Sequence, residues 1–144
     1  MSEFREIPFG SECYEQECRL RNELLREPLG LSLWDENLSE ESGQIHFGIF
    51  DGEMLEACVV VQPLDERMAK LRQVAVRGVS QRKGLGTELM KTLEEDLRKR
   101  GFCQLILHSR SSVCGFYQKQ GYEVEGDAFQ EIGLAHFRMK KLLH

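Results

Sequence analysis

Between residues 74 and 101 the chain carries the pattern that constrains it most: a strand end, a glycine-bearing loop and then an unbroken helix. Val74-Ala75-Val76 closes the strand. The loop runs Gln81-Arg82-Lys83-Gly84-Leu85-Gly86-Thr87, and Leu85, Leu89, Leu93 and Leu97 then recur every four residues. Leucines at that spacing share one face of a helix over Thr87 to Arg100, and Met90 widens the stripe. Gly101 stands at the C-terminal cap, and Glu94 with Arg98 and Glu95 with Lys99 pair on the wet face. The first N–H groups of such a helix lack intrahelical acceptors and carry the positive end of its dipole. Glycines let an anion approach them, and Arg82 and Lys83 add cationic side chains. Two other phosphate motifs fit worse. The dinucleotide fingerprint wants a third glycine where Leu89 stands, and a Walker loop needs Lys after the second glycine, whereas Lys83 precedes Gly84. A basic turn with glycines for geometry alone is the plainer alternative; the strand–loop–helix context favours an anion seat.

Elsewhere the pattern alternates between periods. Ser11 to Glu27 reads as a helix with Ser11 as N-cap, Tyr14, Cys18, Leu24 and Leu25 near one stripe, and Pro28 closing it. Pro28 to Gly43 is a polar connection. Gln44 to Phe50 and Met54 to Gln62 are strands joined by Asp51-Gly52, a strong hairpin signal. Lys70 to Val76 and Gln104 to His108 are further strands, Val113 to Gln120 is a short helix, and Tyr122 to Glu125 and Leu134 to Leu142 are the last strands. One mixed α/β layer fits this order.

A chain of 144 residues, 41% hydrophobic and 30% charged, is expected to form one domain, 1–144, with an ordinary core. A net charge of −5 argues against nucleic acid as the main partner but leaves room for one local basic anion site. No apolar run approaches the roughly 18 to 20 residues of a membrane span, and Met-Ser-Glu-Phe-Arg-Glu offers no signal-peptide core, so a cytoplasmic location is expected. Cys13, Cys18, Cys58, Cys103 and Cys114 show no C-x-x-C spacing and read as reduced thiols, with no metal site expected.

Gln81-Arg82-Lys83-Gly84-Leu85-Gly86 resembles the Q/R-x-x-G-x-G/A signature of the GNAT (Gcn5-related N-acetyltransferase) superfamily. Phe116-Tyr117-Gln118-Lys119-Gln120-Gly121-Tyr122 resembles its F-Y-x-K-x-G-F/Y segment, in the expected order and spacing. The likeness spans roughly residues 44 to 142. Arg26-x-Pro28-Leu29-Gly30-Leu31, Leu107-His108-Ser109-Arg110 and Glu131-Ile132-Gly133-Leu134-Ala135-His136-Phe137-Arg138-Met139 look like segments of the ElaA-like small bacterial acetyltransferases. The resemblance implies a mixed, mostly antiparallel sheet splayed between Lys70–Val76 and Gln104–His108 and flanked by helices. It also implies acetyl-CoA in that opening, with pantetheine along Val74, Ala75 and Val76 and the pyrophosphate on Gln81, Arg82, Lys83, Gly84, Leu85, Gly86 and Thr87. Many relatives carry Asn six residues before the Phe of F-Y; here that position is Arg110.

On this resemblance the expected activity is acetyl transfer from acetyl-CoA to a primary amine of a small molecule or peptide, by direct attack in a ternary complex. Tyr117 is then the family-matched general acid, against a plain packing role for the same ring. A strand N–H at or near Val76 is expected to support the oxyanion. His46, His108, His136 and Glu131 are the candidate bases, with unaided loss of the proton to water as the alternative. No His lies near Cys114 or Cys103 in sequence to activate a covalent route, so burial is expected of them. Arg19, Arg21 and Arg26 either face an acidic substrate group or form a solvated helix face balanced by Glu15, Glu23 and Glu27, and the solvated face is favoured. Two other classes stay open: a non-catalytic acyl-CoA-binding or sensor module, and an interaction domain without a cofactor. Neither the acceptor nor the oligomeric state follows from the residues, a homodimer being the commonest soluble assembly.

Overall fold

Alternating apolar and polar side chains build one mixed sheet, and two leucine- and cysteine-striped helices cover its opposite faces. The computed structural model describes residues 2–81 and 83–144. In chain order the strands and helices are β1 (Ser2–Ile7), α1 (Glu12–Leu25), β2 (Ile45–Asp51), β3 (Met54–Pro63), β4 (Met68–Val76), α2 (Gly78–Gln81) and α3 (Leu85–Lys99). There follow β5 (Gln104–Arg110), α4 (Cys114–Lys119), β6 (Glu123–Val124), β7 (Phe129–Glu131) and β8 (Leu134–Leu142). The strands lie in the order β1-β2-β3-β4-β5-β8-β6, with β7 also on β8. Neighbours run antiparallel, except that β4 and β5 are parallel. This is the expected mostly antiparallel mixed sheet with flanking helices. No helix among the described residues is long and apolar enough to cross a membrane.

The leucine stripe does what its period requires. Leu85, Leu89, Met90, Leu93 and Leu97 bury against Val59, Val61, Leu71, Leu105 and Met139 on one sheet face. Its C-terminus closes as expected, the amides of Gly101 and Phe102 donating to the carbonyls of Arg98 (3.1 Å) and Leu97 (3.0 Å). The start differs from expectation: the helix begins at Leu85, not Thr87, so Leu85, Gly86 and Thr87 form its first turn.

On the other face α1 packs Tyr14, Cys18 and Leu20 against Ile7, Phe50, Leu55, Cys58 and Ala75. Ser11 caps it, accepting the Tyr14 N–H at 3.2 Å. It stops at Leu25, two residues before the expected Glu27, and Pro28 sits in a separate short turn of 3₁₀ helix at Glu27–Leu29. The connection that reads as polar folds into two more such turns and buries Leu33 and Glu41. Strand β1 has no counterpart in the sequence-based order. It is an edge strand whose Glu3 and Glu6 stay in water while Phe4 stacks on Phe47 at 5.1 Å and Ile7 is buried, so its apolar signal is only two residues.

Arg21 corrects the expectation of a solvated arginine face. It follows Tyr14 by seven residues and Cys18 by three, which places it on the inward stripe, and it is 1% exposed. Its guanidinium donates to Glu17 (2.8 Å) and to both oxygens of Glu41 (2.8 and 2.7 Å). Tyr14 donates to Glu41 at 2.8 Å. His46 has an acceptor on each ring nitrogen, the Glu17 carboxylate at Nδ1 (2.9 Å) and the Glu41 carbonyl at Nε2 (2.9 Å). Satisfying both requires the doubly protonated ring. Two buried carboxylates thus face two buried cations, and the space that Glu17, Glu41 and His46 could offer a metal is taken by Arg21. Arg19, by contrast, is on the wet face, 3.9 Å from Glu15.

Burial disfavours charge on Glu41, but Arg21 overrides it and holds the carboxyl below its ordinary 4.5. Burial likewise opposes charge on His46, yet Glu17 and then Glu41 raise it above its ordinary 6.5. The Glu41 contribution is present above pH 4.5 and is lost as pH falls through the lowered value. The His46 contribution is complete below pH 6.5 and is lost as pH rises through the raised one. Thermal melts should therefore peak between these two values, with His46→Gln flattening the alkaline limb. A wild-type profile that is level above pH 6.5 contradicts this. Arg21→Ala leaves Glu17 and Glu41 without their buried cation and should cost about 3–5 kcal/mol in urea unfolding; a loss under about 1 kcal/mol would place the network's worth elsewhere.

Candidate active site

The parallel pair β4–β5 is joined only from Met68 with Gln104 to Leu71 with Leu107, although β4 continues to Val76 and β5 to Arg110. The cause is in β4 itself. Against β3 its register moves from Val60–Arg72 to Cys58–Ala75, so β4 spends one extra residue there. Gln73 takes the left-handed conformation, φ +56, and bends the strand away from β5. A non-glycine residue in that region carries backbone strain, and the same residue has a buried side-chain oxygen, Oε1, with no partner among the described residues. The bulge also exchanges faces. Leu71, Val74 and Val76 lie on the α3 side, whereas Ala75 packs with the α1 side.

The gap between the strands is a cleft of about 580 Å³. Val74, Ala75 and Val76 form one wall, Leu107, His108 and Arg110 the other, and Tyr117, Glu131 and His136 close it. The Arg77 N–H donates to the Glu56 carbonyl at 2.9 Å, which makes Ala57–Val76 the non-bonded pair of the antiparallel ladder. The N–H and C=O of Val76 are therefore directed away from β3, toward the opening. Gln81 already takes that carbonyl, donating through Nε2 at 2.9 Å. Behind it, Ser80 hydrogen-bonds to Glu56 and pins α2 to β3.

The loop expected to seat an anion comes next in the chain. Gly84 is the N-cap of α3 at φ +73, a conformation that favours glycine, while Gly86 serves a different need. A Cβ on Gly86 would stand 3.2 Å from the Phe116 ring, so its absence lets α4 close against the first turn. Gln120 adds a bond to Thr87 Oγ1 at 3.2 Å. The Lys83 and Gly84 amides are used by the turn, donating to Ser80 and Gln81 carbonyls, and the first α3 bond is Glu88 N–H to Gly84 C=O at 3.1 Å. Among the described residues the amides of Leu85, Gly86 and Thr87 have no acceptor. They stand beyond the cleft's described lining, which ends at Gln81. Arg82 lies outside the described residues.

Tyr117 lines the cleft from α4, its ring edge-on to Phe116 (5.1 Å) and Tyr122 (5.9 Å). Its hydroxyl makes no hydrogen bond to any described residue. Burial, with the neighbouring Cys114 adding to it, pushes the phenol well above its ordinary value, so it is protonated at any working pH. Cys114 is buried, as expected, whereas Cys103 is exposed.

Of the candidate bases, His46 is excluded by position, since it is buried in the Arg21 network and does not line the cleft. The other three meet on the wall opposite β4. His108 Nδ1 is 3.0 Å from one oxygen of Glu131, and His136 Nε2 is 3.7 Å from the other. His136 Nδ1 faces the Leu134 carbonyl at 2.9 Å, which fixes that nitrogen as the donor. Arg26 also reaches the cleft, but Glu36 holds it at 2.6 Å. Arg110, where relatives carry Asn, donates to the Leu25 carbonyl at 3.1 Å and ties β5 to the end of α1. Lys70, Arg72 and Gln73, which no sequence motif marks, also stand on the cleft wall. The alternation Lys70-Leu71-Arg72 was the available signal for the first two.

Comparison with known proteins agrees with this fold. The family of the Acetyltransferase (GNAT) domain matches residues 33–143. Escherichia coli ElaA superposes with a TM-score of 0.82 at 20% identity, covering 98% of this chain and 99% of that one. A GNAT family acetyltransferase from Elizabethkingia anophelis, with acetyl-CoA bound, superposes with a TM-score of 0.72 at 17% identity over 99% and 98% of the two chains. Bacillus subtilis YyaT is 34% identical over 73 residues, 51% of this chain and 49% of that protein, so the match spans about half of that relative. By its matched domain, its sheet order and its splayed parallel pair, this chain belongs to the GNAT acetyltransferase family.

Proposed function

We propose that the chain moves an acetyl group from acetyl-CoA to an amine, both bound at once in the cleft opened by the Gln73 bulge. The observation that carries this reading is the placement of an inward-facing Val76 amide and Tyr117 on one opening, with the first turn of α3, whose amides have no acceptor among the described residues, beyond Gln81 at the limit of its described lining.

Acetyl-CoA supplies the acyl group as a thioester. The α3 amides and Lys83 would hold its diphosphate, as unpaired N–H groups at a helix start do for anions. The edge of β4 would pair with the pantetheine amides, for which Gln81 Nε2 has to release the Val76 carbonyl. The Val76 N–H would stabilise the carbonyl oxygen as it gains charge. Tyr117 would donate to the sulfur as the carbon–sulfur bond breaks. Its raised pKa opposes full transfer in the empty cleft, but the same dry surroundings raise the pKa of a thiolate, which narrows the mismatch. Glu131, which His108 meets at 3.0 Å, would take the proton that the attacking nitrogen sheds. Acetylation of an amine of another molecule is what the names of several relatives state, and GNAT neighbours have been seen with CoA bound.

Tyr117→Phe keeps the ring packing and removes the donor. With saturating acetyl-CoA its turnover should fall roughly a hundredfold or more while CoA affinity is unchanged. Near-normal turnover would remove the acid role. CoA binding without thiol release across a broad amine panel would replace the transferase reading with that of an acyl-CoA sensor.

A further inference from the structure

The cleft is more cationic than the chain that encloses it. The chain carries −5 overall, yet among the described residues the cleft is lined by Arg26, Lys70, Arg72 and Arg110 against Glu36 and Glu131. Arg26 and Glu36 neutralise each other, and Glu131 is hydrogen-bonded to His108 at 3.0 Å. Arg72 donates to Gln44 at 2.6 Å and stands 3.6 Å from Glu41, and Arg110 donates only to a carbonyl. Lys70 is half-buried and has neither a hydrogen bond nor an ion pair among the described residues. Burial pushes its ammonium below the ordinary lysine value; Glu131 counteracts this, while Arg72 and Arg138 add to it. A half-buried lysine without a partner is costly and is ordinarily compensated by a counter-charge.

These cations do not serve the diphosphate. Strand alternation puts Ala69 and Leu71 on the α3 face, so Lys70 and Arg72 point to the opposite, α1 face. Sheet register extends their row: Lys70 pairs with Ile106 and Ile106 with Lys140, while His108 pairs with Arg138. The α3 first turn and the Lys70 row thus stand on different sides of the sheet, and Glu131, the group placed to receive the amine's proton, stands with Lys70.

We infer that the acceptor is an amine bearing a carboxylate or phosphate group, which binds Lys70 with Arg72 beside it. The inference rests on the acetyl-transfer reading for its amine and, for its anion, on Lys70, the cation of this row that has no hydrogen bond or ion pair among the described residues. Lys70 is a specificity-determining residue and takes no part in the bond changes.

Matched amines test it in a CoA-release assay: γ-aminobutyrate against butylamine, and 3-aminopropyl phosphate against propylamine. Wild type should favour at least one acidic member by tenfold or more in kcat/KM, and whichever pair discriminates names the anion. Lys70→Gln should abolish the preference through KM, Lys70→Arg should retain most of it, and CoA affinity should stay constant in both. Equal use of the members of both pairs, or a preference that survives Lys70→Gln, overturns the inference. A second arm needs no turnover. Glutarate and inorganic phosphate are titrated calorimetrically into CoA-saturated protein, where one of them should bind saturably and at least tenfold more weakly to Lys70→Gln. Absence of saturable binding for both also overturns it. Lys70-dependent anion binding with no acetylation of any amine would instead remove the transferase reading and leave the anion subsite in place.

Discussion

One extra residue in a strand governs the rest of the site. Without the bulge at Gln73, β4 and β5 would continue their parallel ladder to the strand ends, and their backbone groups would satisfy each other. With it, the ladder stops at Leu71, and among the described residues the Val76 carbonyl meets the Gln81 side chain instead of β5. The strain of a left-handed glutamine persists because the flanking β3 pairing and two cores on opposite faces determine the strand on either side. The same exchange of faces separates the two charges the cleft would manage, the diphosphate on the α3 side and the acceptor on the α1 side.

The buried charge network is the second constraint. It fastens α1 to the sheet through Arg21 and His46, and Arg72 couples it to the cleft wall by its contact with Glu41. Residues Leu24, Leu25 and Arg26, which form the cleft's rim, are carried by the helix the network holds. Position of that rim thus depends on charges outside the cleft. A buried ion network is weak support for stability in itself but strict about geometry, because every member must find its partner.

Much of this was legible in the residues. The stripe from Leu85 to Leu97, the Asp51-Gly52 hairpin and the strand from Leu134 to Leu142 carry strong local periods, and all three form, with α3 starting two residues before the expected Thr87. What was not legible depended on partners distant in the chain. Arg21 reads as solvated until Glu41, twenty residues on, is known to reach it. Strand β1 has too few apolar residues to register alone, and it exists because β2 offers an edge. His46 reads as a candidate base on side-chain chemistry, and only its burial beside Glu17 removes it from the cleft. The two loop glycines looked alike in sequence, yet one sets a backbone angle and the other makes room for Phe116. Lys70 and Arg72 were visible as alternation but carried no motif.

The most direct measurement is calorimetric titration of the protein with CoA and, separately, with pantetheine, which shares the arm of CoA but lacks the nucleotide and its phosphates. If the cleft receives the arm and the α3 amides receive the diphosphate, CoA binds once per chain and pantetheine binds far more weakly. No heat with CoA, or equal affinity for the two, would contradict a diphosphate seat at the start of α3.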